Sequence, residues 1–362
     1  MSGQKTAVVE AAPATPGGVF HSVRGYLGGA AGRNIGLFVV LIAIFVIGAV
    51  TIGESFLSPA NALTIVRFAT VTGVVSIGMT FVIILGGIDL SVGSVVGLSS
   101  VVATLGFVQA PAQTFWPLIV VVALLVGTLA GVINGLLIAY GNVVAFMTTL
   151  AMLIAARGLA EVLSGKRTQI LSVRGFNEVI GSSPLGIPMI VWIFAVVAVL
   201  GWVLLNRTTF GRRTVAIGGN REAARLAGIN VKRHTVYVYA LAGLTAGIGA
   251  IMFISRTTVG TSTHGILLEL DVIAAVVVGG TLLVGGRGSI VGSVLGVLIF
   301  SLLINLLPST TSIRRSRPLP RASSSSAPCC TSSASAPAAQ HAVPDWLGAA
   351  YVELLNISGF VI

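Results

Sequence analysis

The feature that most constrains this chain is a series of long apolar runs with few charges, most of them long enough to cross a lipid bilayer. The first is Ile35 to Ile52, eighteen residues without a charge. At helical rise it extends about 27 Å, close to the thickness of a hydrocarbon core. Further runs read as roughly 63–85, 90–109, 116–139, 143–163, 186–205, 235–255, 270–284 and 289–307, nine in all. Lipid supplies no hydrogen bonds, so a spanning backbone must be helix or closed barrel. The runs are continuous rather than alternating, which selects helix. The expected fold is therefore all-α, a polytopic transmembrane helical bundle of about nine spans. Composition excludes a soluble alternative: 9% of residues are charged, against roughly 25% in soluble domains. Adjacent Cys329 and Cys330 give neither a disulfide framework nor metal-ligand spacing.

The chain divides into a polar leader (1–34), a membrane body (35–307) and an atypical tail (308–362). The first run is long for a signal-peptide core and no clear cleavage site follows it, so it is expected to be a retained anchor. Between the second and third runs lies Gly86-Gly87-Ile88-Asp89-Leu90-Ser91. That linker is too short to travel far, so a re-entrant or broken helix is expected there. Glycines four apart (Gly127, Gly131, Gly135; Gly243, Gly247; Gly288, Gly292, Gly296) predict close helix packing.

Basic residues set the orientation. The loop 206–234 carries Arg207, Arg212, Arg213, Arg221, Arg225, Lys232 and Arg233 against one acid, Glu222. The positive-inside rule places it in the cytoplasm. Six runs separate it from the basic leader, so the N-terminus falls on the same side. The loop 164–185, with Lys166, Arg167 and Arg174, dissents. Within 206–234, Asn220 can cap a short helix over Glu222–Ala227 that Gly228 stops. Such a stiff knob suits a grip by a partner protein.

Polar residues inside the apolar runs are candidate pathway residues: Asp89, Ser91, Asn134, Thr148, Thr149 and Asn305. Asp89 and Ser91 also read as a helix-start cap. The asparagines and threonines read equally as interhelical hydrogen bonds. Arg157 reads as snorkelling or pairing with Glu161 at i+4, and Glu269 and Asp271 as charge matching at a helix start.

Several segments together resemble the ribose/xylose/arabinose type of importer permease. They are Gly86–Ser94; Ala156-Arg157-Gly158-Leu159; Phe210-Gly211-Arg212 through Ala216–Asn220; Glu222-Ala223-Ala224 with Gly228; Glu269–Ala275; Val278-Gly279-Gly280-Thr281; and Gly285–Ser289. The resemblance runs in order from about 36 to 307. It implies a non-catalytic permease subunit of a bacterial ATP-binding-cassette importer, in the cytoplasmic (inner) membrane, for a small polar solute, most simply a monosaccharide such as ribose or xylose. It implies as partners a cytoplasmic ATPase subunit, a second permease copy and a periplasmic or extracellular solute-binding protein, besides membrane lipid; no nucleic acid is expected. Glu222, Ala223, Ala224 and Gly228 fall in the element that docks the ATPase. No G-x-x-x-x-G-K-[ST] occurs in this chain. It is expected to bind no cofactor, with ATP and magnesium used by the partner.

Two other classes compete. A membrane enzyme needs clustered catalytic side chains, but His21, His234, His264 and His341 are scattered. An ion-coupled secondary transporter favours intramembrane acids and inverted repeats; one marginal acid and no evident repeat are seen. After Leu307 the family has a further apolar span. Here residues 309–344 contain 22 Ser, Ala or Pro in 36, a composition that cannot bury a core. A reading-frame shift is the expectation, with a genuine tail as the alternative.

Overall fold

The computed structural model describes residues 30–315, with side-chain surroundings given for 34–306. The expectations for most of the leader and for the tail beyond 315 lie outside the described residues. Helix α1 (Ala30–Ile52) is followed by the single turn α2 (Glu54–Leu57) and the long α3 (Pro59–Ile84). Helix α4 (Val92–Ala103) and α5 (Gly106–Ala112) form a pair bent by 59°. Next come α6 (Pro117–Ala139), α7 (Ala145–Ser164), a two-residue strand β1 (Gln169–Ile170), α8 (Arg174–Ile180) and α9 (Met189–Arg207). The polar segment folds as α10 (Thr209–Gly219) and α11 (Arg221–Leu226). The described residues close with α12 (Val231–Thr257), β2 (Val259–Gly260), α13 (Leu268–Val278) and α14 (Ile290–Arg315).

Helix ends fall where local chemistry puts them. Ser58 accepts the Asn61 amide at 3.2 Å ahead of Pro59, whose missing N–H costs nothing in a first turn. Gly165 closes α7 in the left-handed conformation.

Among the described residues, six helices are long and apolar enough to cross a membrane, and seven if the bent α4–α5 pair counts as one span. The ninth run persists as a shorter apolar helix, Ile290–Leu306. The expected eighth span over 270–284 is corrected. Only Leu268–Val278 is helical there, eleven residues or about 16 Å, flanked by irregular chain. The break expected at 86–91 is present, since no helix covers 85–91.

The two ends of the bundle are distinct. At one, called here the loop end, the Gly286 amide donates to the Ile84 carbonyl at 2.8 Å. Gly218 of α10 packs against the same carbonyl and against Gly286. At the other, the strand end, β1 and β2 pair antiparallel (Gln169 with Gly260, Ile170 with Val259). There Gln109 Nε2 donates to the carbonyls of Thr104 (2.7 Å) and Ile170 (2.9 Å).

The centre is held by glycine. On α6, Gly127 and Gly131 lie against the backbone of Gly243 and Tyr239 on α12, and Gly247 lies against Ala123. A side chain at any of these would strike backbone, so the helices could not approach as they do. On α13 and α14, Gly279 meets Gly292 and Gly296 meets Ala275 in the same way. Bilayer packing gains from such contact because apolar burial against lipid tails gains little.

Candidate functional site

The basic segment 206–234 holds α10, capped by Thr208, and ends against α12, which Asn230 caps by accepting the Arg233 amide at 3.0 Å. Between them, Asn220 Oδ1 accepts the Ala223 amide at 2.9 Å and starts α11. Gly228 has φ +82°, where an L side chain is strained. The short helix expected over 222–227 is thus observed one residue earlier, over Arg221–Leu226, with the expected cap and stop.

The four residues singled out there divide into two groups. Glu222, Ala223 and Gly228 are exposed, and Glu222 pairs with Arg225 at 3.0 Å. Ala224 is 5% exposed and packs with Ile217 and Val231. It anchors the helix to the bundle and leaves its neighbours outward. One residue escaped the sequence reading. Leu226 is 81% exposed at the end of α11, an apolar knob in a basic loop. A cleft of about 520 Å³ adjoins α11, lined by Arg221, Glu222, Arg225 and Lys232 on one side and by Asn142 and Val144 on the other.

The candidate pathway residues are gathered unevenly. Asp89 is 2% exposed, and its Oδ1 accepts both the Ser91 amide (2.9 Å) and the Ser91 hydroxyl (2.6 Å). Asn134 Nδ2, from α6, donates to Ser91 Oγ at 2.9 Å. The Thr149 hydroxyl, from α7, reaches the Ile88 carbonyl at 3.3 Å. Asp89, Ser91 and Asn134 form one buried network at the start of α4, and Thr149 ties the same linker to α7 through the Ile88 carbonyl. The Tyr239 hydroxyl abuts Gly87 at its margin. Thr148 is buried, and its hydroxyl donates to its own helix at Val144. Asn305 lies apart at the strand end, donating to Asn61 Oδ1 at 3.1 Å.

A second polar region surrounds the chain between α12 and α13. Arg157 Nη1 donates to the carbonyls of Ser262 and His264, the latter at 3.0 Å. This corrects the expected partner: Glu161, one turn away, is not paired with it. The guanidinium instead stops two carbonyls of irregular backbone from being stranded. His264 stacks on Phe253 (5.0 Å between centroids) and its Nδ1 lies 3.2 Å from Ser100 Oγ. Gly93 of α4 packs against Gly265 and Glu269. The first turns of the two short helices α4 and α13 therefore meet inside the bundle. Glu269 and Asp271 occupy the first turn of α13, where a helix favours negative charge. Among the described residues no group of three or more His, Cys, Asp or Glu could hold a metal ion.

Comparison with known proteins resolves what such a bundle belongs to. Residues 61–321 match the family described as the branched-chain amino acid transport system / permease component. The chain belongs to this family. It is 39% identical over 277 residues to the ribose import permease protein of Haemophilus influenzae, covering 75% of this chain and 84% of that one. It is 41% identical over 276 residues to the ribose import permease protein of Bacillus subtilis (76% and 83%). It is 34% identical over 340 residues to the xylose transport system permease protein of Escherichia coli (75% and 85%). No solved structure matches. As a member of the family the chain is a multi-pass membrane protein of a bacterial importer. It is a transport component rather than a catalyst. ATPase activity lies in a separate subunit, and a solute-binding protein is the other implied partner.

Proposed function

We propose that this chain is the permease subunit of an importer for a monosaccharide of the ribose or xylose kind, with α10–α11 docking the ATPase on the cytoplasmic side. The observation that carries the reading is the segment itself: a capped, basic, outward-facing helix whose preceding residues touch the end of α3 and the turn between α13 and α14. Gly218 and Gly219 meet Gly286, and Gly218 meets the last carbonyl of α3. A push on α11 therefore reaches Ile84, the broken linker 85–91 and the 279–289 turn without passing through flexible side chains. ATP and magnesium act on the partner, and the permease supplies two arrangements of one bundle whose balance the partner shifts.

The solute class follows the names of the relatives, which are ribose and xylose permeases. The N-terminus lies in the cytoplasm in this reading, on the side of segment 206–234. The exposed apolar rows, such as Ile35–Val50 on α1, face lipid, and a second copy of the chain completes the passage.

The test is co-purification of the cognate ATPase with the full-length permease in detergent. Leu226→Ser with Glu222→Ala should reduce the recovered ATPase by about tenfold, equivalent to about 1.4 kcal/mol of docking energy. The bundle should stay monodisperse. Full recovery of the ATPase with both changes present would reject α11 as the docking element.

A further inference from the structure

We infer that the cavity between α3, α12, α13 and α14 is a contact site for the solute on its way through the membrane, and that Asp271 and Arg256 bind its hydroxyl groups there. This rests on the importer reading above and adds to it the place where solute meets permease. The cavity measures about 300 Å³ and is lined by Phe68, Arg256, His264, Asp271, Phe300 and Ser301, among others.

Its depth is the first argument. At helical rise, Phe68 and Thr72 stand about 24 and 18 Å from the Ile84 end of α3. Phe300 to Ile304 stand about 15 to 21 Å from the Ile290 end of α14. Both measures run from about the middle of a hydrocarbon core about 30 Å thick toward its strand-end face, the end where α12 closes at Thr257. Polar side chains at that level are costly, about 2.5–3.5 kcal/mol for an acid facing lipid on insertion scales.

The second argument is the state of those side chains. Among the described residues, none pairs with the Asp271 carboxylate. Arg256 makes no ion pair either; its guanidinium lies 4.8 Å from the centre of the Phe68 ring. A carboxylate from the first turn of α13 and a guanidinium from the strand-end turn of α12 line one cavity without bonding each other. Arg256 is exposed, so this face of the cavity opens toward water rather than acyl chains.

The third argument is shape and chemistry. The volume is at the small end of ligand pockets, about 300–1,000 Å³. That suits one sugar ring rather than a nucleoside. A carboxylate accepts from hydroxyls and a guanidinium donates to them, and Phe68, Phe253 and Phe300 offer apolar walls to the carbon face of a ring. Thr263 and Ser301 add hydroxyls that bind weakly and release readily, as passage requires. Arg157 fixes one wall by holding the carbonyls of Ser262 and His264.

The experiment uses the full chain in membrane vesicles, with Cys329 and Cys330 replaced by serine. Ser301→Cys and Thr263→Cys are treated with a charged, water-borne thiol reagent, and Leu303→Cys on the outer side of α14 serves as the lipid-facing control. Labelling of the two pocket positions should exceed the control by about tenfold or more, since a charged reagent partitions into water and not into lipid. Equal, slow labelling at all three positions would overturn the proposal. Ribose uptake is then measured with the ATPase and binding protein reconstituted. Asp271→Asn should lower uptake by about tenfold, the worth of one charge-assisted hydrogen bond, while the ATPase still co-purifies. Uptake unchanged in both Asp271→Asn and Arg256→Gln would also overturn it. If the wild type carries neither ribose nor xylose but labelling follows the expected pattern, the solute class fails and the water-facing cavity stands. Labelling at Ser301→Cys that sodium alone suppresses would replace the sugar contact by an ion site.

Discussion

Two acids mark two of the places where the described bundle breaks its helices, and the structure treats them in opposite ways. Asp89 precedes α4 and is sealed, its Oδ1 filled by two donations from Ser91. Asn134 on α6 and Thr149 on α7 tie the same linker to neighbouring helices. Asp271 sits in the first turn of α13, half-buried beside a cavity, and no described residue pairs with it. Burial alone therefore does not identify a working acid in a membrane protein. An acid whose acceptor capacity is met by its own chain is holding backbone in place. One left facing a cavity is available to something that arrives.

The sharpest way to break the comparison is to remove Asp89. Asp89→Ala strands the Ser91 amide and leaves its hydroxyl without an acceptor in a sealed interior, at about 1–3 kcal/mol for each unsatisfied group. The solubilised protein should lose most of its monodisperse fraction on mild heating. Asp89→Asn retains an amide oxygen in place of Oδ1 and should recover much of that loss. Asp271→Ala should leave the melting behaviour of the bundle near that of the wild type. If Asp89→Ala melts normally while Asp271→Ala collapses, the assignment of structural and working acids is inverted.

A second change tests whether the cavity wall is held as described. Arg157→Met keeps an apolar stem of similar length and removes the donation to Ser262 and His264. A hydrogen bond from a charged group contributes about 1.5–3 kcal/mol, and the loss falls on the segment 261–267 rather than on the whole bundle. Hydrogen exchange should rise in that segment with little change along α6 and α12, whose glycine contacts are untouched. A uniform rise across the chain would mean that Arg157 supports the global fold and not the wall.

How much of this could be read from the residues differs between the two breaks. The linker at 86–91 was legible because it is short, polar and glycine-rich, so a helix could not pass through it. The short helix α11 was legible from Asn220, Gly228 and the charge around them. The break before α13 was hidden, because hydropathy over 270–284 does not distinguish a spanning helix from an eleven-residue helix plus buried irregular chain. Nor could Arg157 be matched to its partners. They lie more than a hundred residues onward, whereas Glu161 was the only counter-charge in local reach. Leu226 was missed because it is one of several apolar residues in the loop, beside Val215, Ile217 and Ile229, and nothing in their spacing shows which one faces outward.

The smallest effect is expected where α7 is tied to the 86–91 linker, and it measures how redundant that tie is. Thr149→Val removes the hydroxyl that spans from α7 to the Ile88 carbonyl at 3.3 Å. The same hydroxyl also faces the Ala145 and Phe146 carbonyls of its own helix at 3.0 and 3.3 Å, so its bond to Ile88 is one of three shared by a single proton. Interhelical hydrogen bonds of this kind average about 0.6 kcal/mol in membrane proteins. Because valine replaces the hydroxyl with a methyl group of nearly equal size, packing is preserved and only the bond is lost. The expected shift in thermal midpoint is about a degree or two, resolvable against Asp89→Ala in parallel melts. A loss as large as that of Asp89→Ala would show that the α7 contact, and not the Asp89–Ser91 turn, fixes where the broken helix begins.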